Sequence, residues 1–300
     1  MTIHTASGVG PARIDIAYER LGNANHPPVL LVMGLGAQMI TWPDAFCEAL
    51  VALQLQVIRF DNRDVGLSTH LTHAPAPNFL AALAGDLSSA SYTISDMAAD
   101  TAGLLDALGL DSAHLVGASM GGFIAQTVAI EYPGRVRSLT SIMSTTGDRA
   151  VGQVAPEAMA LFAGPPVTNR EQAIERALVG SRLIGSPGFP IDVDAVTDRA
   201  GRAYDRGFDL VGLMRQAVAV IASGDRTDRL RSLHVPTLVM HGADDKMCNV
   251  SGGRATADAI PGAELVVFDG MGHDLPRALW PAMIEHIAEV VKRGEASRPR

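Results

Sequence analysis

His114-Leu115-Val116-Gly117-Ala118-Ser119-Met120-Gly121-Gly122 is the stretch whose reading decides the fold. Its centre, Gly117 to Gly121, has the form Gly-x-Ser-x-Gly. The apolar run His114 to Val116 before it reads as a strand and the residues after it read as a helix. A serine on so tight a strand-to-helix turn is forced into a strained backbone conformation. The strand and helix also approach closely at the two flanking positions, where glycine removes the Cβ atoms that would collide. The helix beginning at Met120 then directs its free N–H groups and positive dipole end at whatever negative charge develops beside Ser119.

Outward from this motif, short β-rich runs alternate with helical patterns, as in a parallel sheet with crossover helices. Val29 to Met33 is continuously apolar, as a strand buried on both faces requires. Val57 to Phe60, Ser138 to Ile142, Thr237 to Met240 and Leu265 to Phe268 are further strands. Met97, Thr101, Leu104, Leu105 and Leu108 fall on one face of a helix, with Ser95 as its N-cap. Two more helices are expected at about Pro43 to Leu53 and Leu279 to Val291, followed by a frayed tail from Arg293. The rhythm breaks between Asp148 and Arg229, where helical segments such as Arg170 to Leu183 are separated by Gly185-Ser186-Pro187-Gly188. The expected architecture is an α/β core of residues 1–147 and 230–300, a mostly parallel sheet flanked by helices, with residues 148–229 inserted as a helical cap.

A serine hydroxyl is a weak nucleophile near neutral pH, so a base must take its proton and an acid must orient that base. His273, in Gly270-Met271-Gly272-His273-Asp274, follows the last strand on a glycine-rich loop. Asp245, in His241-Gly242-Ala243-Asp244-Asp245, follows the strand before it. Ser119, Asp245 and His273 thereby stand in the chain order expected when a nucleophile of this kind tops an α/β sheet. Asp244, beside Asp245, and Asp148, after the strand ending near Ile142, are alternative acids. His70 and His73 form an H-x-x-H pair with no nearby carboxylate or thiolate in the sequence to complete a metal site. They read as surface loop residues, and His241 reads as a strand-end packing residue.

Over nearly its whole length the chain resembles the α/β-hydrolase superfamily. Val32-Met33-Gly34-Leu35-Gly36, Trp42-Pro43 and Asp61-Asn62-Arg63-Asp64-Val65-Gly66-Leu67-Ser68 resemble its esterase branch, which includes aclacinomycin methylesterase. In that branch the acid stands in an H-G-x-x-D motif, which selects Asp245. The resemblance implies an oxyanion hole made by the backbone N–H groups of Met120 and Leu35. It also exposes a departure: where the family carries a His-Gly pair, this chain has Met33-Gly34, so a side chain that orders this loop is missing. Gly34, Trp42 and Leu275 are expected to line the substrate pocket, with Leu35 and Met120 adding to an apolar wall.

Composition narrows the function. Of 300 residues, 47% are apolar and 19% charged, enough to bury a large core. The net charge of −8, with no run of Lys or Arg, argues against a nucleic-acid partner. No basic-then-apolar leader opens the chain, and no stretch reaches the roughly 18 apolar residues of a membrane span. Two distant cysteines make no disulfide framework or metal site, and a reducing, cytoplasmic setting is expected. Gly34-x-Gly36 lacks the third glycine of a dinucleotide fingerprint, because that position is Met39, and no cofactor is implied. The expected activity is hydrolysis of a carboxylic ester of a small or medium apolar molecule through an acyl-enzyme. The same triad serves cofactor-free haloperoxidases (perhydrolases) and carbon–carbon bond hydrolases, and a receptor-like binding protein is a third reading. The oligomeric state is not legible.

Overall fold

The computed structural model describes residues 2–162 and 167–297. Among these residues eight strands make one sheet: β1 (Ile3–Val9), β2 (Ile14–Leu21), β3 (Pro28–Val32), β4 (Gln56–Phe60), β5 (Ala113–Ala118), β6 (Val136–Ile142), β7 (Thr237–Gly242) and β8 (Glu264–Phe268). Their spatial order is β1-β2-β4-β3-β5-β6-β7-β8. From β4 to β8 every pairing is parallel, while β2 pairs antiparallel with both β1 and β4. The six strands read from the sequence are all present. The antiparallel pair β1 and β2 is additional to that reading.

Among the described residues ten α-helices accompany the sheet: α1 (Asp44–Ala52), α2 (Phe79–Leu83), α3 (Ile94–Ala107), α4 (Met120–Glu131), α5 (Arg170–Ile184), α6 (Val193–Arg206), α7 (Leu210–Ser223), α8 (Thr227–Leu230), α9 (Ser251–Ala259) and α10 (Trp280–Ala296). The two-residue period of a strand divides β3 between two core layers. Leu30 and Val32 face a layer with Met97 and Leu104 of α3 and Ile124 and Val128 of α4. Val29 and Leu31 face the opposite layer, with Phe46 and Leu50 of α1 and Met283 and Ile287 of α10. Burial on both faces is why β3 carries no polar residue.

Three local readings are corrected. Helix α3 starts at Ile94, and its first turn is closed by Thr93, whose N–H and hydroxyl both donate to Asp96 at 2.8 Å. Ser95 instead donates to Glu131. Residues 293–296 are not a frayed end but the last turn of α10, where Glu295 accepts from Arg137 at 2.9 Å. His70 is half-buried rather than a surface residue, and its Nδ1 lies 2.7 Å from Asp209 Oδ2. Asp64, His70 and Asp209 together offer ligand atoms within 4.8 Å of one another. The Asp64 carboxylate is already held by two of the three Arg215 guanidinium nitrogens, the Tyr92 hydroxyl and the Leu71 N–H, so a cation there would have to displace a guanidinium.

The strand order places the active loops. The chain passes from β3 to β4 on one side and then returns to β5 on the other. This is a topological switch point, where the loops at the carboxyl ends of β3 and β5 diverge and leave a crevice. Closure of that crevice depends on two glycines. A Cβ on Gly121 would collide with the carbonyl of Val32, and one on Gly117 with the carbonyl of Gly121. The clashing atoms are backbone and cannot rotate away. Gly121→Ala is therefore expected to destabilise the protein by about 3 kcal/mol, measured by urea unfolding. Wild-type stability in that variant would show that α4 does not need this approach.

Candidate active site

Ser119 stands between β5 and α4 at φ 57°, a left-handed conformation that a non-glycine residue adopts at a cost. The backbone holds it there: its N–H donates to Ile142 O at 2.9 Å, and its carbonyl accepts from Gly122 N–H at 2.8 Å. Across the crevice, Gly34 is buried, and a Cβ built on it would lie 3.0 Å from Ser119 Cβ. Any side chain at position 34 would press on Ser119 Cβ and on the Ala118 carbonyl, so glycine suits this close approach.

The structure brings Ser119, His273 and Asp245 together in one line. His273 Nδ1 lies 2.7 Å from Asp245 Oδ2, and His273 Nε2 lies 2.9 Å from Ser119 Oγ. A carboxylate only accepts, so the imidazole must carry its proton on Nδ1 and turn the Nε2 lone pair to the serine hydroxyl. Asp245 is fixed by its other oxygen, which accepts from the N–H groups of Met247 at 2.9 Å and Cys248 at 2.8 Å. Its side chain is fully buried, whereas Ser119 stays half-exposed.

His241, in the core at the end of β7, lies 3.6 Å from Asp245 Oδ2 and spends its Nε2–H on Cys248 O at 2.7 Å. Burial pushes its pKa down, so it stays neutral and does not claim the charge that Asp245 offers to His273. Asp244 faces the other way, and its Oδ2 accepts the Gly270 N–H at 3.0 Å. Asp148 Oδ1 accepts from the Ala150 N–H in its own loop.

The loop of His273 is strapped by the segment joining α5 to α6, which the sequence reading took only for a break between helices. Ile184 O accepts the His273 N–H at 2.7 Å and Gly270 O accepts the Gly188 N–H at 2.9 Å. Ser186 Oγ accepts the Gly272 N–H at 2.9 Å and donates to Asp274. The loop after β3 is held in a similar way: Met33 O accepts from Asn62 at 2.9 Å, and the Met39 N–H donates to Asp61 at 2.7 Å.

Residues 27–276 match the alpha/beta hydrolase fold family. The chain belongs to that family. β1 and β2 lie outside the matched region. Among curated relatives, rhodomycin D methylesterase DnrP of Streptomyces peucetius is 30% identical over 285 residues, spanning 87% of this chain and 89% of its own length. Among solved structures, the enol-lactonase of Burkholderia xenovorans LB400 has a TM-score of 0.70 at 21% identity, covering 94% of this chain and 98% of the other. Esterase RhEst1 of Rhodococcus sp. ECU1013 has a TM-score of 0.71 at 20% identity, covering 97% and 99%. At such identities the two structures attest the shared fold alone.

Of the expected pocket residues in this alpha/beta hydrolase, Gly34 adjoins Ser119, and Leu275 is half-buried at the edge of the α1–α10 layer. Trp42 is not a pocket residue. It is 0% exposed, stacks on Phe46 at 5.8 Å, and belongs to the core layer of α1 and α10. The buried Arg59, which pairs with Glu19 and Asp44 at 2.6 Å, also binds the Trp42 carbonyl and fixes this turn inside the fold. Phe189 and Leu213 come to the catalytic loops instead. Phe189 Cε2 would lie 3.7 Å from a Cβ on Gly270, and the Leu213 side chain fills the space beside Gly36.

The two adjacent acids can be separated experimentally. Asp245→Asn is expected to cost roughly 10³–10⁴ in turnover by favouring the wrong imidazole tautomer. Asp244→Asn keeps an oxygen for the Gly270 N–H and is expected to change turnover by less than about tenfold. The reverse ranking in steady-state kinetics would move the acid's role to Asp244.

Proposed function

We propose that this alpha/beta hydrolase cleaves carboxylic esters of small or medium apolar molecules, with Ser119 as nucleophile, His273 as general base and Asp245 as the orienting acid. The observation that carries this reading is the unbroken line from Asp245 through His273 to Ser119, with Ser119 held in a left-handed turn at the head of α4. The methylesterase relative supports ester chemistry from an independent direction.

The reaction follows from the atoms. Ser119 Oγ attacks the ester carbonyl carbon while its proton passes to His273 Nε2, and Asp245 balances the imidazolium. The carbonyl oxygen becomes an anion in the crevice between β3 and β5. There the N–H groups of Met120, at the head of α4, and Leu35, after β3, would stabilise it. Collapse releases the alcohol, which takes the proton from His273 and leaves an acyl-Ser119. Water, activated by the same imidazole, then frees the acid. No step requires a cofactor or metal.

Residues 148–229 serve in this reading as a cap that bounds the acyl or alcohol pocket. Support comes from Phe189 beside the histidine loop and Leu213 beside the loop after β3. Of the other bulky apolar residues in this segment, the side chain of Phe162 lies outside the described residues. No described helix is long and apolar enough to cross a membrane, and both cysteines are free and buried. We infer a cytoplasmic setting from the sequence.

An aryl or alkyl fluorophosphonate should add one label, mapped by mass spectrometry to Ser119. Ser119→Ala should stay folded and lose at least about 10³ of ester turnover. A folded Ser119→Ala with wild-type turnover would remove the nucleophile from this account. With p-nitrophenyl esters from acetate to palmitate, kcat/KM should rise over the first carbons, by up to about 0.8 kcal/mol per buried methylene, and then fall. A steady rise to palmitate would mean an open groove rather than a capped pocket.

A further inference from the structure

The loop after β3 has Met33 where the family resemblance implies a histidine, yet in the proposed reaction it must hold a backbone N–H at Leu35 in a fixed direction. Its shape is a four-residue turn from Gly34 to Ala37, closed by one long hydrogen bond, Ala37 N–H to Gly34 O at 3.2 Å. Gly36 takes φ +64° at the third position, as turns with a left-handed residue there demand. The bond from Ala37 to Gly34 closes the turn on itself and does not tie it to the rest of the protein. Asn62 and Asp61 hold the loop at Met33 and Met39, on either side of the turn.

We propose that Gln216 is a positioning residue that anchors this turn to α7 and thereby keeps the Leu35 N–H in place. Gln216 Oε1 accepts the Gly36 N–H at 2.7 Å, reaching from α7 across 180 residues of sequence. The other end of its carboxamide donates to the Arg63 carbonyl at 2.8 Å. Arg63 is itself anchored to α3, through two bonds of 2.6 and 2.7 Å to Asp100. The Gln216 side chain is 0% exposed, so water does not compete for either bond. Its amide cannot rotate either: a half-turn would set NH₂ against the Gly36 N–H and oxygen against the Arg63 carbonyl. Leu213, one helical turn earlier on α7, packs against Gly36 from the same side. The order that the missing histidine would give from within the core thus comes from a helix of the inserted segment.

This inference rests on the reading of Leu35 as an oxyanion donor, so its test keeps the two separate. Gln216→Met has a similar volume but neither polar atom. Gln216→Glu keeps an oxygen for the Gly36 N–H but buries an acid beside a carbonyl. With p-nitrophenyl butyrate, kcat of Gln216→Met should fall roughly 10- to 100-fold while KM stays within about threefold. The affinity for an alkyl trifluoromethyl ketone, whose adduct with Ser119 carries the oxyanion, should fall by the same factor as kcat/KM. Gln216→Glu should be the less stable variant by Tm, yet it should keep kcat within about fivefold of wild type on its folded fraction. The order of stability and the order of rate are then opposed, which a merely structural tether would not produce. Wild-type kcat and ketone affinity in Gln216→Met would overturn the proposal, as would losses in both variants that follow Tm alone. If Gln216→Met does not fold, Gln216→Asn, too short to span both partners, carries the same expectation. A wild-type protein that takes no fluorophosphonate at Ser119 would instead refute the esterase reading. A labelled, active wild type with an insensitive position 216 would refute this inference alone.

Discussion

The first turn of α4 passes so close to the end of β3 that only backbone lies between them. The carbonyl of Val32 occupies the place where a side chain on Gly121 would be, and the carbonyl of Gly121 occupies that of Gly117. With the helix pressed against the strand, the intervening turn has no room to relax, and Ser119 is held at φ 57°. The same approach brings Gly34 against Ser119, because the loop leaving β3 begins one residue beyond the point of contact. A single close packing of main chain therefore sets the direction of the nucleophile, the open end of the helix beside it and the facing loop.

This constraint can be read from the sequence because it acts through residue type. No amino acid but glycine fits at 117 and 121, and an aspartate and a histidine after the last two strands have few other uses in that geometry. The six parallel strands were legible for a related reason: burial on both faces leaves runs such as Val29 to Val32 without polar residues. β1 and β2 lacked that signature. β1 is mostly exposed, and β2 mixes Ile14 and Ile16 with Asp15, Glu19 and Arg20. Trp42 was misplaced because its apolar character suits a pocket and a core equally. What decides is the turn it occupies, fixed by the buried Arg59 against its carbonyl. Ser186 and Gln216 were invisible for a different reason. Their partners are main-chain N–H groups 86 and 180 residues away, and a backbone donor leaves no trace in the residue type that carries it.

Polar contacts fix the ends of the inserted helices, while α7 also buries Ala217, Val218 and Ala219. Helix α5 has no buried residue. Where α6 ends, the Gln38 amide donates to the carbonyls of Ala203 and Gly207 at 2.7 and 3.0 Å, and Arg206 reaches Asp61 at 2.6 Å. At the start of α7, Asp209 meets His70 and Arg215 grips Asp64. Desolvation offsets much of the attraction in buried pairs of this kind, so their contribution to net stability is small. Their value is directional: each tolerates only one register of helix against core. A bundle held by apolar contact could slide by a fraction of a turn and would carry Gln216 away from Gly36 as it did.

The same contacts limit how the site can open. Lifting α6 and α7 as a body would strip Arg206 from Asp61 and Arg215 from Asp64, leaving carboxylates whose side chains are 0% exposed without their cations. Breaking one such pair costs about 3–5 kcal/mol. The movement would also release Gly36 and, through the strap at Ile184 to Gly188, the loop of His273. An open state of that kind would have neither an ordered turn after β3 nor an ordered base. Ser119 is already half-exposed with every one of these bonds in place. Under the proposed reaction, Ser119 can therefore be reached with the inserted helices left where they are, holding the loops of Gly36 and His273 in register.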